Sequence, residues 1–394
     1  MQIKYLNPLT LFVFLVLILY FIPSVFIIEF SKSIHGVTVN AQVAELYHSV
    51  NAISFFAILC AILSYMIIGG RVSAKIMLTS YPIKDRSFKN LNLVLLVLLV
   101  LSIALSIPFL LTSAIPKALM LGSDIDGHTF RLLGFDDVNR AFSWMFEIAR
   151  RIIFPLVILT GLVFKSKLKM KKFFLFSILV FFLDSFLTFD RGPALLFLIV
   201  VFLGSFLGQF GRRSLWTMLI YFTLTIAIVG GVLTIMQYNS STLNATEIFG
   251  QSLRVLYSRI IFDPAFMSLE YTFHRHYLID PLFLEHSRIG VLVGKEYVGS
   301  ANVNSQFITP VGFVADIWRN FGIVGVFIFS YMITCMFAFF SYQARRMSIT
   351  FLPSFSVLMT ILSASLIYGV LFSLGTFFLI GVSFFLVLVS RIRF

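Results

Sequence analysis

Apolar runs of about twenty residues recur along this chain, each long enough to cross roughly 30 Å of hydrocarbon as a helix. Ten can be read, near residues 9–28, 50–70, 91–112, 146–164, 173–189, 193–209, 215–236, 311–340, 351–371 and 374–390. A backbone inside a bilayer must satisfy its own polar groups, and helices do so segment by segment. The expected fold is therefore all-α, a polytopic integral membrane protein of about 10 transmembrane helices forming one membrane domain over 1–394. The run at 311–340 is too long for a single span, so its first turns are expected at the interface. The composition agrees, since 59% hydrophobic and 12% charged residues lie far from the balance of a soluble domain. The first run lacks a small-residue cleavage site and is expected to stay as a helix.

Basic residues set the orientation. With the N-terminus inside, the inner loops hold 17 Lys and Arg against one acid, Asp85, while the outer side holds 13 basic and 16 acidic residues. That excess is what the positive-inside rule expects, and it puts both termini in the cytoplasm. The charge thus reads as topology, in preference to a nucleic-acid footprint. The kind of base also differs. The inner set has 9 Lys and 8 Arg, the outer set 3 Lys and 10 Arg, and all six histidines are outer. Topology needs only positive charge, whereas guanidinium offers a planar fork for phosphate or carboxylate. Cys60 and Cys335 fall within runs, where they pack as small apolar residues.

No soluble domain fits between the runs, and neither GxxxxGK[ST] nor a GxGxxG after a strand is present. ATP-driven transport within this chain is accordingly disfavoured. Two outer segments are sizeable, 113–145 and 237–310. The second is the one large polar loop, and it carries His274, His276, His286, Arg254, Arg259, Arg275 and Arg288. Within it, 252–262 reads as an amphipathic interfacial helix bearing Arg254 and Arg259, stopped by Asp263-Pro264.

Several residues are candidates for chemistry, each with a structural alternative. Asp184, within a run, and Asp190-Arg191, in a tight outer turn, are ionisable groups at membrane depth; they face a substrate or simply pair helices. Arg150 and Arg151, beside Glu147, either contact ligand or snorkel from a helix end. His274-Arg275-His276 offers imidazoles able to accept a proton near neutral pH, or else solvated loop side chains. Arg288 precedes Gly299 by an interval of ten residues. Asp316 and Arg319 enter the outer leaflet as site residues or as a helix-end ion pair. Gly322 and Gly325 permit close helix contact. No zinc-ligand spacing is found, and Asp124-Ile-Asp126-Gly-His128 lacks the full calcium-loop pattern.

The Arg191-Gly192 turn, the Arg288-to-Gly299 spacing in a large outer loop, and the Asn302/Asn304 lead into Asp316 and Phe321-Gly322-Ile-Val-Gly325 together resemble the Wzy-type O-antigen and capsule polymerases. The arginine-ten-glycine spacing occurs once in the outer loops, whereas some members of that family show it twice. The resemblance implies a glycosyltransferase of the bacterial inner membrane. It would move a growing glycan from undecaprenyl pyrophosphate onto another lipid-linked oligosaccharide repeat unit at the periplasmic face. Arg191 and Arg288 would hold the pyrophosphate, with Arg254, Arg259, Arg319 and Arg150 as further substrate contacts, and His274, His276 or Asp316 would serve as base or sugar contact. The scheme needs no metal or other cofactor, and its protein partners would be a chain-length regulator and a flippase. The alternatives are an O-antigen ligase acting on lipid A core, a transporter of lipid-linked oligosaccharide, and a structural membrane protein.

Overall fold

A computed structural model describes residues 2–6, 8–22, 41–68, 78–82, 91–114, 140–163, 312–346, 352–368 and 374–389, with 179–180, 250 and 268–269. Helix α1 (Pro8–Val16) continues into a wide π-helical turn, Leu17–Phe21. Next come α2 (Ala41–Ile67) and α3 (Leu91–Phe109), the latter widening into π-helical Leu110–Ala114 just after Pro108. Helix α4 (Arg140–Ile148), π-helical Ala149–Ile153 and α5 (Phe154–Val163) follow without interruption. The last three are α6 (Phe313–Arg346), α7 (Leu352–Tyr368) and α8 (Leu374–Val389).

Helices therefore occupy seven of the ten apolar runs. The runs at 173–189, 193–209 and 215–236 lie outside the described residues apart from 179–180. Among the described residues two stretches, Ala44–Ile67 and Phe313–Ala344, are by length and composition apolar enough to cross a membrane. The all-α expectation needs one correction. Strand β1 (Gln2–Leu6) pairs antiparallel with β2 (Leu78–Pro82), Gln2 opposite Pro82 and Leu6 opposite Leu78. Gln2-Ile3-Lys4-Tyr5 alternates polar and apolar residues, a two-residue period that a search for long apolar runs passes over.

Helices α2 and α6 pack closely because small residues line the seam. Ser54, Ala57 and Ala61 are fully buried, and Ser54 Oγ shares a hydrogen bond of 2.9 Å with Ser330 Oγ. Other hydroxyls turn back onto their own helix: Thr160, Thr334 and Thr360 donate to the carbonyls of Leu156, Ser330 and Ser356. Such bonds keep polar groups satisfied without water. Outside, the surface is apolar, with Phe56, Leu63, Val97, Leu111, Met332 and Phe385 all more than half exposed. That exterior suits hydrocarbon better than water.

Helix α6 is broken. Gly322 has φ 67° and ψ −165°, a backbone region essentially reserved for glycine. Across the break Phe321 stacks on Phe329 with centroids 4.7 Å apart, and a Cβ on Gly325 would collide with the Phe321 side chain. Phe12 meets both Phe313 (6.3 Å) and Phe337 (4.4 Å). In a straight helix those two phenylalanines would be about 36 Å apart. Residues 313–321 thus double back against the helix that follows. Every residue from 312 to 320 is buried, so these first turns are surrounded by protein. Gly322 serves to break the backbone and Gly325 to admit Phe321, so neither acts simply as a helix-contact residue.

Candidate functional site

The folded-back segment carries the charge. Asp316 is fully buried, Arg319 is 2% exposed and Asn320 5% exposed, all within the first turns of α6. Asp316 sits where the helix N-terminus favours a negative group. Its carboxylate Oδ1 accepts from Asn320 Nδ2 at 3.2 Å, and the same amide donates to the Asp316 carbonyl at 3.0 Å. Burying ionised groups is costly unless they are hydrogen-bonded or paired, so this segment is held for a reason other than apolar burial.

Three other parts of the chain close around it. The Gly312 N–H donates to Ser268 Oγ at 2.9 Å, tying the 237–310 loop to the start of α6, and Ser268 and Leu269 are both buried. A side chain at position 312 would overlap the Tyr20 ring and come within 2.7 Å of Ser268 Oγ, so glycine is needed for this approach. From the π-helical end of α1, Tyr20 packs edge-on against Phe313 at 5.5 Å and donates to the Leu366 carbonyl at 2.8 Å. That carbonyl belongs to the last turn of α7, where no helical partner exists. Tyr20 is also within electrostatic reach of Tyr47 and Asp316.

Helix α2 contributes the least expected groups. Tyr47 and Asn51 lie one turn apart, 1% and 2% exposed, on the face that carries Ser54 a turn later. The Tyr47 hydroxyl lies beside Asn51 and Ser268 without forming a hydrogen bond of ordinary geometry, and neither the nitrogen nor the oxygen of the Asn51 amide has a partner. An amide buried in this way costs roughly 2–7 kcal/mol relative to water.

Arg150 belongs to a different setting. It pairs with Glu147, which also receives Arg151, and its guanidinium lies 4.9 Å from the centre of the Phe146 ring. The Arg150 side chain is 8% exposed and that of Arg151 46%. Arg150 is thus buried in a π-helical turn and does not snorkel, while Arg151 reaches outward.

Of the residues singled out in the sequence, Asp316 and Arg319 enter the buried cluster. Arg191, Arg254, Arg259, His274, His276 and Arg288 lie outside the described residues. The sequence reading passed over Tyr47, Asn51 and Ser268. The 47, 51, 54 spacing, which places three polar side chains on one helical face, is the signal that would have found the first two. Among the described residues no three His, Cys, Asp or Glu side chains gather in a way that would hold a metal ion. No family model, curated protein or solved structure matches the chain.

Proposed function

We propose that this protein is a polytopic membrane glycosyltransferase. In particular, we propose a polymerase that joins undecaprenyl-pyrophosphate-linked oligosaccharide repeat units at the periplasmic face of a bacterial inner membrane. The observation that carries this reading is the buried, charge-bearing segment 313–320, held against the 237–310 loop through Ser268. It supplies a carboxylate, a guanidinium and amides within a bundle whose exterior is apolar. No nucleotide-binding motif is present, so the donor's energy would come from the lipid-linked sugar itself.

Contacts between helix ends support the ten-span topology. Number the runs in chain order from a cytoplasmic N-terminus. Tyr20–Leu366, Phe109–Phe146 and Trp144–Phe378 then each join two outer ends. The β1–β2 pair and the Phe340–Phe355 contact each join two inner ones. This pattern calls for an odd number of crossings between α5 and α6, which the three runs in that interval provide. The 237–310 loop then shares a side with 113–145.

In the proposed reaction an acceptor sugar hydroxyl attacks the anomeric carbon of the donor glycan. The bond from that carbon to the pyrophosphate oxygen breaks, and undecaprenyl pyrophosphate leaves with the electron pair. Asp316, or a histidine of the 274–276 stretch, takes the hydroxyl proton. Arg319, with Arg191 and Arg288, stabilises the charge developing on the leaving diphosphate. Arg254, Arg259 and Arg150 keep the rank of substrate contacts, Arg150 acting through its turn. The chemistry runs on side chains alone, and a chain-length regulator and a flippase are the proposed protein partners.

One observation favours a rival. Transporters place substrate at interrupted helices, and α6 is interrupted at Gly322. Deleting the gene and analysing surface glycan separates the readings. A single repeat on lipid A core supports polymerase, free full-length polymer indicates ligase, and repeat units trapped on the cytoplasmic face indicate a transporter.

A further inference from the structure

We infer that residues 313–321 form a lid hinged at Gly322, and that the structure is its closed state. The inference goes beyond the glycosyltransferase reading and needs no part of it. What it adds there is access, because Asp316 is fully buried and meets no substrate until the lid moves. Three observations meet here. First, the lid holds Asp316 and Arg319 away from water, 0% and 2% exposed. Second, polar groups beside its start are left dry. The Asn51 amide is buried, and among the described residues neither of its polar atoms, nor the neighbouring Tyr47 hydroxyl, makes a hydrogen bond. That hydroxyl lies beside Ser268, which the Gly312 N–H holds, so the unbonded groups border the end of the lid farthest from the hinge. Their burial is costly, and water relieves the cost once the lid lifts.

The third observation is the hinge itself. Gly322 has a φ of 67° and a ψ of −165°, and a Cβ there would meet nothing within 4 Å, so the backbone has room to turn. Glycine adopts ordinary helical values as readily. Doing so at this one residue would straighten α6 and carry 313–321 out of the bundle, and hinges are commonly single positions that absorb such a change. The two sides of the hinge are held differently. Beyond it, Val326 and Phe337 are fully buried and Ser330 bonds to Ser54, which anchors the long helix to α2. Ahead of it, the Gly312–Ser268 hydrogen bond and the edge-on Tyr20–Phe313 contact act as the latch. Local opening of this kind needs less free energy than unfolding the bundle.

The test uses the full-length protein in nanodiscs, with Cys60 and Cys335 replaced by alanine and a sulfonated maleimide as the probe. Val314→Cys reports on the lid and Val326→Cys on the anchored helix; both valines are buried, at 1% and 0% exposed. Val314→Cys is expected to react in the folded protein and Val326→Cys only after unfolding in detergent. Asn51→Leu and Tyr47→Phe remove the groups that favour opening, so each should slow the Val314→Cys reaction about tenfold. Gly322→Ala disfavours the closed backbone and should speed it at least about fivefold. Tyr47→Phe keeps the ring, so it reads the hydroxyl even if Asn51→Leu fails to fold. An unreactive Val314→Cys overturns the lid, as do equal rates at the two positions or rates that Tyr47→Phe and Gly322→Ala leave unchanged. Glycan chain length in deletion cells is a separate readout. Single repeats there with no labelling leave the polymerase standing without a lid, and labelling with normal chains does the reverse.

Discussion

The two parts of α6 on either side of Gly322 share a helix in sequence and differ in almost everything else. After the break, the helix is apolar and packs on α2 through small residues, while Val324, Met332 and Phe339 are exposed. Before it, 313–320 is buried throughout and carries Asp316, Arg319 and Asn320. The difference teaches what the break is for. Irregular backbone at membrane depth is tolerated where protein surrounds it, and here it lets one continuous apolar run deliver a polar segment into the bundle. The polar part is held by Tyr20, Gly312 and Ser268, and the apolar part by Ser54, Ala57 and Ala61. The two are therefore open to separate attack.

The largest expected effect falls on the polar part. Asp316→Asn keeps an oxygen that can accept from Asn320, so the protein should insert normally. Chain elongation should fall by about 10²–10⁴-fold, the contribution of a lost general base. Long glycans in Asp316→Asn cells would remove the carboxylate from the chemistry. At the break itself, Gly322→Ala meets no neighbouring atom within 4 Å, so its cost is purely conformational. It should lower stability by about 1–3 kcal/mol in thermal unfolding, because alanine disfavours this φ and ψ.

Gly325→Ala sharpens the same point by a different route. Its methyl group would strike Phe321, a packing cost of about 1–3 kcal/mol. Because the atom struck is the Phe321 Cβ, most of that cost should vanish in the Phe321→Gly background if the segment folds back, and a double-mutant cycle reads the coupling directly. Additive losses would contradict the folded-back arrangement. The smallest effect belongs to the apolar part: Ser54→Ala removes one interhelical hydrogen bond, worth about 0.6 kcal/mol in membrane helices, with no change in elongation.

How legible was this from the residues alone? The apolar runs announced the helices, since their lengths and compositions leave little else open to the backbone. Asp316 and Arg319 stood out because charge beside a long apolar run is costly. The fold-back did not, because hydropathy reports composition and is blind to a single φ at Gly322. Helix α2 begins at Ala41, where the apolar run reads from about 50; Gln42, Glu45, His48 and Ser49 hide its first turns. Tyr47 was thereby placed outside the span, and its shared face with Asn51 and Ser54 went unseen. Ser268 was invisible for another reason. Nothing local marks a serine that will accept from a glycine 44 positions on, since only the tertiary arrangement brings Gly312 to it.

The most direct measurement is reconstitution of the purified protein in liposomes with an undecaprenyl-pyrophosphate-linked repeat unit as the sole substrate. The account predicts a ladder of longer glycans and release of undecaprenyl pyrophosphate, with neither nucleotide sugar nor ATP added. Repeat units that stay single in the presence of folded, inserted protein, or that grow only when a nucleotide sugar is supplied, would contradict it.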